Sequence, residues 1–153
     1  MLFHVCKKPD RIRTHIMPIE MRLAKIIISE ISDNQVVFLK EVGGEREFPI
    51  LIGIFEATSI DRRVKRIARP RPLTHDLLAG IIQAMGGELK SVLIHDLRDA
   101  TFFAKLQIEQ GDNTLNVDAR PSDAIAMAVA VEPALPIFVE EKVLDAAMKK
   151  PDF

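Results

Sequence analysis

Two short segments constrain this chain more than any others. Arg71-Pro72-Leu73-Thr74-His75-Asp76-Leu77-Leu78 and Asp118-Ala119-Arg120-Pro121-Ser122-Asp123-Ala124-Ile125 share one pattern. Each sets an Arg-Pro step, a small hydroxyl residue and an aspartate ahead of an apolar, helix-like run. Each therefore places a cation, a hydroxyl and a carboxylate at the start of a helix. Helix N-termini carry unpaired N–H groups and partial positive charge, and both attract anions. Two such corners in one chain make phosphate chemistry a candidate. The sequences between them do not align, so they are read as two similar corners and not as a duplication.

The hydrophobic pattern places these corners in a fold. Residues 22–31 and 35–42 are rich in Ile and Val and read as strands. Gly43-Gly44 reads as a two-residue hairpin turn into a return strand at 46–52. Residues 54–68 carry apolar groups at three- and four-residue steps (Ala57, Ile60, Val64, Ile67, Ala68), as a helix requires. Pro70 and Pro72 end that helix. Thr74 is the expected cap of the next one, whose apolar stripe is Leu77, Leu78, Ile81, Ile82 and Met85. Gly86-Gly87 closes it.

Residues 88–96 and 101–109 predict a second hairpin, and 114–119 a further strand. Asp118 and Arg120, two apart, would share a face of that strand. The alanine-rich helix 122–131 is apolar nearly all round, so it is expected to be buried. A short strand at 136–139 and a helix at 142–149 complete the chain. Strands outnumber helices and hairpins dominate. The expected fold is α+β, with a mixed, largely antiparallel sheet packed with about four helices.

The chain has 153 residues, enough for one domain with a proper core. No apolar run approaches the roughly 20 residues of a membrane-spanning helix. Residues 1–20 hold Lys7, Lys8, Arg11 and Arg13 but no apolar h-region, so no secretory leader is expected. Cys6 is the sole cysteine, which excludes an internal disulfide and a Cys-rich zinc site. A cytoplasmic location is the default expectation.

The net charge of −1 hides an asymmetry. Between residues 54 and 71, Arg62, Arg63, Lys65, Arg66, Arg69 and Arg71 face only Glu56 and Asp61. Such a strip either binds anions or forms a solvated helix face. Tryptophan and tyrosine are absent, and Phe102 and Phe103 are the only adjacent rings. Any nucleic acid would therefore be held by its backbone rather than by base stacking.

In the first corner, His75 suits a general base or phosphate donor, and Asp76 a metal ligand or orienter. The same residues also suit simple capping: Asp76 favours the helix dipole and Thr74 the cap. In the second, Asp118 beside Arg120 could hold a metal and grip phosphate, or form a plain salt bridge. His95 and the turn residues Asp96 and Asp99 read as structural. There is no His-x-x-x-His helix, Gly-x-Ser-x-Gly elbow or Walker loop.

RPLTHDLL at 71–78, HDLRDATFFA at 95–104 and DARPSDAIAMA at 118–128 together resemble the bifunctional nuclease family, in order and in register. These are small bacterial and plant domains credited with cleaving both DNA and RNA. The resemblance runs from about Met21 to about Val143. It implies a bifunctional-nuclease-like domain over 21–153, preceded by a basic extension, 1–20, outside the core.

It also implies hydrolysis of phosphodiester bonds in DNA and RNA with little sequence preference. Mg²⁺ or Mn²⁺ would be the expected cofactor, since such hydrolysis usually needs a divalent cation. His75, Asp76, Asp118, Asp123 and Glu56 become the expected catalytic set, with Asp76 and Asp118 as metal candidates. Arg71, Arg120, Ser122, Thr74, Arg62 and Arg66 become the expected phosphate contacts. The expected partners are DNA and RNA backbone and further copies of the chain, most simply as a dimer. The contact would use the first strand, where Ile26, Ile27 and Ile28 set apolar groups on both faces. The competing reading is a non-catalytic module that binds phosphate, nucleic acid or protein.

Overall fold

The computed structural model describes residues 17–149. Most of the basic extension (1–16, with Cys6) and the last four residues lie outside them. Among the described residues, seven strands form one sheet: β1 Ile19–Ile27, β2 Gln35–Glu41, β3 Glu47–Ile52, β4 Glu88–Arg98, β5 Thr101–Gln110, β6 Asn113–Ala119 and β7 Ile137–Val139. Their order is β3-β2-β1-β7-β4-β5-β6. Every neighbouring pair is antiparallel except β4 with β7. Four helices of the described residues pack with the sheet: α1 Ile54–Val64, α2 Thr74–Ala84, α3 Pro121–Ala130 and α4 Glu141–Met148. This is the α+β architecture with a mixed, mainly antiparallel sheet that the pattern predicts.

Alternation decides which way each strand faces. Phe102, Ala104, Leu106 and Ile108 of β5 are all buried, as are Val37 and Leu39 of β2 and Phe48, Ile50 and Ile52 of β3. The sheet is curled. Phe48 and Phe102 have four strands between theirs in the order, yet their ring centroids lie 5.5 Å apart. Helix α3 sits against this concave surface and also contacts α1 and α2. Ala124, Ile125, Ala126, Met127 and Ala128 are each at most 2% exposed. The small alanines let the neighbouring elements approach closely, as expected of a helix apolar nearly all round.

Several boundaries differ from expectation. β1 starts at Ile19, where it pairs with Val139, and ends at Ile27. The turn after β2 spans residues 42–46 and not the two glycines alone. Helix α1 stops at Val64, because Arg66 adopts a left-handed φ of 53°. Strand β6 ends at Ala119, so Arg120 leaves the sheet and becomes the N-cap of α3. The apolar stripe of α2 is the largest departure. Leu77, Leu78, Ile81 and Met85 are exposed, and the buried residue of that helix is His75. The helix turns its polar first turn inward and much of its apolar stripe outward.

Candidate functional site

The two corners, alike in sequence, are built differently. In the first, Leu73 is the N-cap of α2 and has no side-chain acceptor, so Thr74 is the first helical residue and not the cap. Asp76 supplies what is lacking. Its Oδ2 accepts the backbone N–H of Leu73 at 2.9 Å and pairs with Nη1 of Arg69 at 2.6 Å. Both side chains of that pair are largely buried. Arg71 is exposed and pairs with no carboxylate among the described residues. The structure thus joins Asp76 to the backbone and to a cation the sequence pattern did not single out.

The second corner opens to solvent. Nε of Arg120 donates to Oδ2 of Asp123 at 2.8 Å, and Nη2 donates to Oε1 of Glu56 at 2.7 Å. The hydrogen bond donated to Asp123, and then the negative charges of Asp123 and Glu56, raise the guanidinium pKa above its already high ordinary value. Glu56 reaches Arg120 from the first turn of α1, folded back over Gly53. A Cβ at Gly53 would lie 2.6 Å from Oε2 of Glu56, so any side chain there would displace the tip of that carboxylate. The guanidinium has five N–H donors, and two are used here, which leaves three for a ligand. It borders a cleft of about 460 Å³ whose wall includes Gly53, Thr101 and the buried Ser122.

His75 links the two corners. Its Nε2 lies 3.3 Å from Oδ1 of Asp123, and its Nδ1 lies 3.2 Å from Oγ of Ser59 on α1. A carboxylate can only accept, so Nε2 carries a proton. In the neutral ring, Nδ1 then accepts from the Ser59 hydroxyl. Both ring nitrogens are engaged inside the protein, and the side chain is only 11% exposed. The histidine ties α1, α2 and α3 together behind the Arg120 network.

The structure therefore brings Glu56, His75, Arg120 and Asp123 together, with Ser122 beside them. It does not bring Asp76 or Asp118 into that network. Asp118 is exposed on β6 opposite Lys105. Arg62 and Arg66 lie toward and beyond the far end of α1, lining a separate cavity with Arg63 and Arg69. Among the described residues, no group of three or more His, Cys, Asp or Glu side chains is placed to hold a metal.

Residues 37–152 match the family described as the bifunctional nuclease domain. The chain belongs to this family. Two further relatives are proteins of Mycobacterium tuberculosis, from strains CDC 1551 / Oshkosh and ATCC 25618 / H37Rv, both called uncharacterized. Each is 42% identical over 128 residues, which covers 84% of this chain and 75% of the relative. The family match contains both corners and the whole Glu56–Arg120–Asp123–His75–Ser59 network. Among the described residues, no helix is long and apolar enough to cross a membrane.

Ser59 and the Arg69–Asp76 pairing are absent from the expectations set by the sequence. A signal for Ser59 was available: it stands three residues after Glu56, on the same face of α1. Arg69 belongs to the basic strip and opens an Arg-Pro step of its own, Arg69-Pro70, but nothing local in the sequence pairs it with Asp76.

Proposed function

We propose that this domain hydrolyses phosphodiester bonds of DNA and RNA at the Glu56–Arg120–Asp123 corner. The observation that carries the reading is one exposed guanidinium held by two carboxylates beside a cleft. Arg120 is held at two of its donors and aims the others outward, an arrangement suited to a phosphate's non-bridging oxygens. Glu56 and Asp123 are the proton acceptors nearest that phosphate. His75 is a positioning residue. Its Nε2–H fixes one oxygen of Asp123, and Ser59 fixes the ring.

Mg²⁺ accepts one or two carboxylates completed by waters. Of the four oxygens here, Oε2 of Glu56 has no hydrogen bond among the described residues, and the other three keep a second lone pair. Glu56 and Asp123 would hold Mg²⁺ or Mn²⁺, in place of the Asp76 and Asp118 pairing expected from sequence. The ion would supply charge neutralisation and a more acidic bound water. The strip from Arg62 to Arg71 adds cations for the nucleic-acid backbone, with no base readout.

A second reading has its own observation: Arg120 neutralises both carboxylates, as a phosphate-binding module without catalysis would also require. Incubating the protein with plasmid and with RNA, with and without EDTA, separates the two. The nuclease reading expects cleavage of both substrates and its loss with chelator. Cleavage that ignores EDTA removes the metal, and no cleavage by clean preparations leaves the binding module.

A further inference from the structure

The far end of α1 carries a second, differently built cavity of about 820 Å³. Arg62, Arg63, Arg66 and Arg69 line it, against a single carboxylate, Glu132. The rest of the lining is apolar, mainly Val64, Ile67, Val129 and Val131. Two of the arginines are fixed within the protein. Nε of Arg63 donates to the carbonyl of Val129 at 2.8 Å, which ties the end of α1 to the end of α3. Arg69 is held by Asp76. Arg62 and Arg66 are exposed and form no ion pair among the described residues.

The backbone beneath them is informative. Arg66 N–H donates to the Arg63 carbonyl and Ile67 N–H to the Arg62 carbonyl, both at 3.0 Å. This is a Schellman closure, and Arg66 occupies its left-handed position, where glycine is favoured. A cation near the helix end gains from the dipole, but Arg62 and Arg63 already lie in the last turn. An arginine in the strained position is unnecessary for helix stability, and Arg66 lines the cavity.

We propose that this cavity binds a phosphate monoester, the terminal phosphate of a nucleotide or of a nucleic-acid strand. Arg62 and Arg66 meet the phosphate, whose higher charge a cluster of arginines favours over a backbone diester. The apolar lining accepts the sugar or base. The size suits a nucleotide-sized ligand. The inference rests on the phosphate-binding part of the function proposed above, for Arg62 and Arg66, and not on hydrolysis.

Calorimetry on the full chain tests it with one DNA oligonucleotide carrying either a 5′-phosphate or a 5′-hydroxyl. The phosphorylated strand should bind about tenfold more tightly, the size of one charge-assisted contact. Arg66→Gly should abolish that preference while the melting temperature holds or rises, since glycine suits the left-handed backbone. Arg62→Ala should weaken the same preference. Adenosine monophosphate that competes for the site assigns it to free nucleotides. A preserved end preference without competition assigns it to strand ends, and both results support the pocket. Equal affinity for the two oligonucleotides, reduced by both variants, makes the strip a backbone track; it overturns the pocket and leaves the proposed function standing. A preference that survives both variants also overturns it.

Discussion

The first and second corners begin from almost the same words, Arg-Pro, then a hydroxyl, then an aspartate, and end in opposite roles. In the first, Asp76 is turned into the protein, between the Leu73 N–H and a largely buried Arg69. In the second, Asp123 shares an Arg120 that is 70% exposed with Glu56, and His75 supports it from behind. The difference lies in what packs alongside. Arg69 precedes the first corner and takes its carboxylate, leaving Arg71 outside. At the second, the start of α1 delivers Glu56 across the chain, and the cation becomes the shared centre. A local motif can thus specify a helix start without specifying whether its charges are consumed by the fold or offered to a ligand.

The residue between the corners should give the largest effect. His75→Ala removes a buried ring and two hydrogen bonds that join three helices, so unfolding in urea should show a loss of about 2–4 kcal/mol. Cleavage should fall as well. Unchanged stability would mean that the corners are not coupled through the ring. Among the arginines, Arg120→Ala should lower the cleavage rate by roughly a hundredfold, the cost of removing one preorganised donor. Arg71→Ala should stay within a few-fold, and equal losses would erase the distinction between the corners.

Double-mutant cycles on stability measure how strongly each corner's ion pair is coupled. The Arg69–Asp76 pair, at 13% and 18% exposure, should show a coupling of about 1–2 kcal/mol. The exposed Arg120–Asp123 pair should show about 0–1 kcal/mol. The reverse order would make the second corner the structural one. The smallest expected effect is that of Thr74→Ala, within about 0.5 kcal/mol, because the hydroxyl caps nothing. A loss near the usual cap value of about 1 kcal/mol would restore Thr74 to that role.

Much of the architecture was legible in the sequence, because strand alternation and helix periodicity are local. The buried face of β5, the two hairpins and the enclosed α3 all follow from residues a few positions apart. The apolar pattern of α2 was legible too, but periodicity reports a stripe and not what covers it, and the fold leaves Leu77, Leu78 and Ile81 exposed. The end of α1 differs from the expected one for a chemical reason. Glycine normally marks a left-handed closure, and here Arg66 makes it.

The network was the least legible part. Arg120 meets Glu56 across 64 positions, and His75 meets Asp123 across 48. The residue types were nameable from the corners and from α1, but their convergence is set by how α1 and α3 pack. That packing also drops Asp118: the strand ends at Ala119, and Arg120 turns away from it.

The fold consumes Asp76, whereas under the proposed function the ligand meets Asp123. Asp76→Asn and Asp123→Asn, compared side by side for urea stability and for cleavage of plasmid and RNA, test it most directly. Both replacements keep the volume and an acceptor oxygen but remove the charge. Asp76→Asn should lose about 1–3 kcal/mol of stability and keep its cleavage rate per folded molecule. Asp123→Asn should lose less than about 1 kcal/mol, because its guanidinium partner is exposed, and should lose cleavage. The opposite pattern, a stable but inactive Asp76→Asn beside an active Asp123→Asn, would contradict the account.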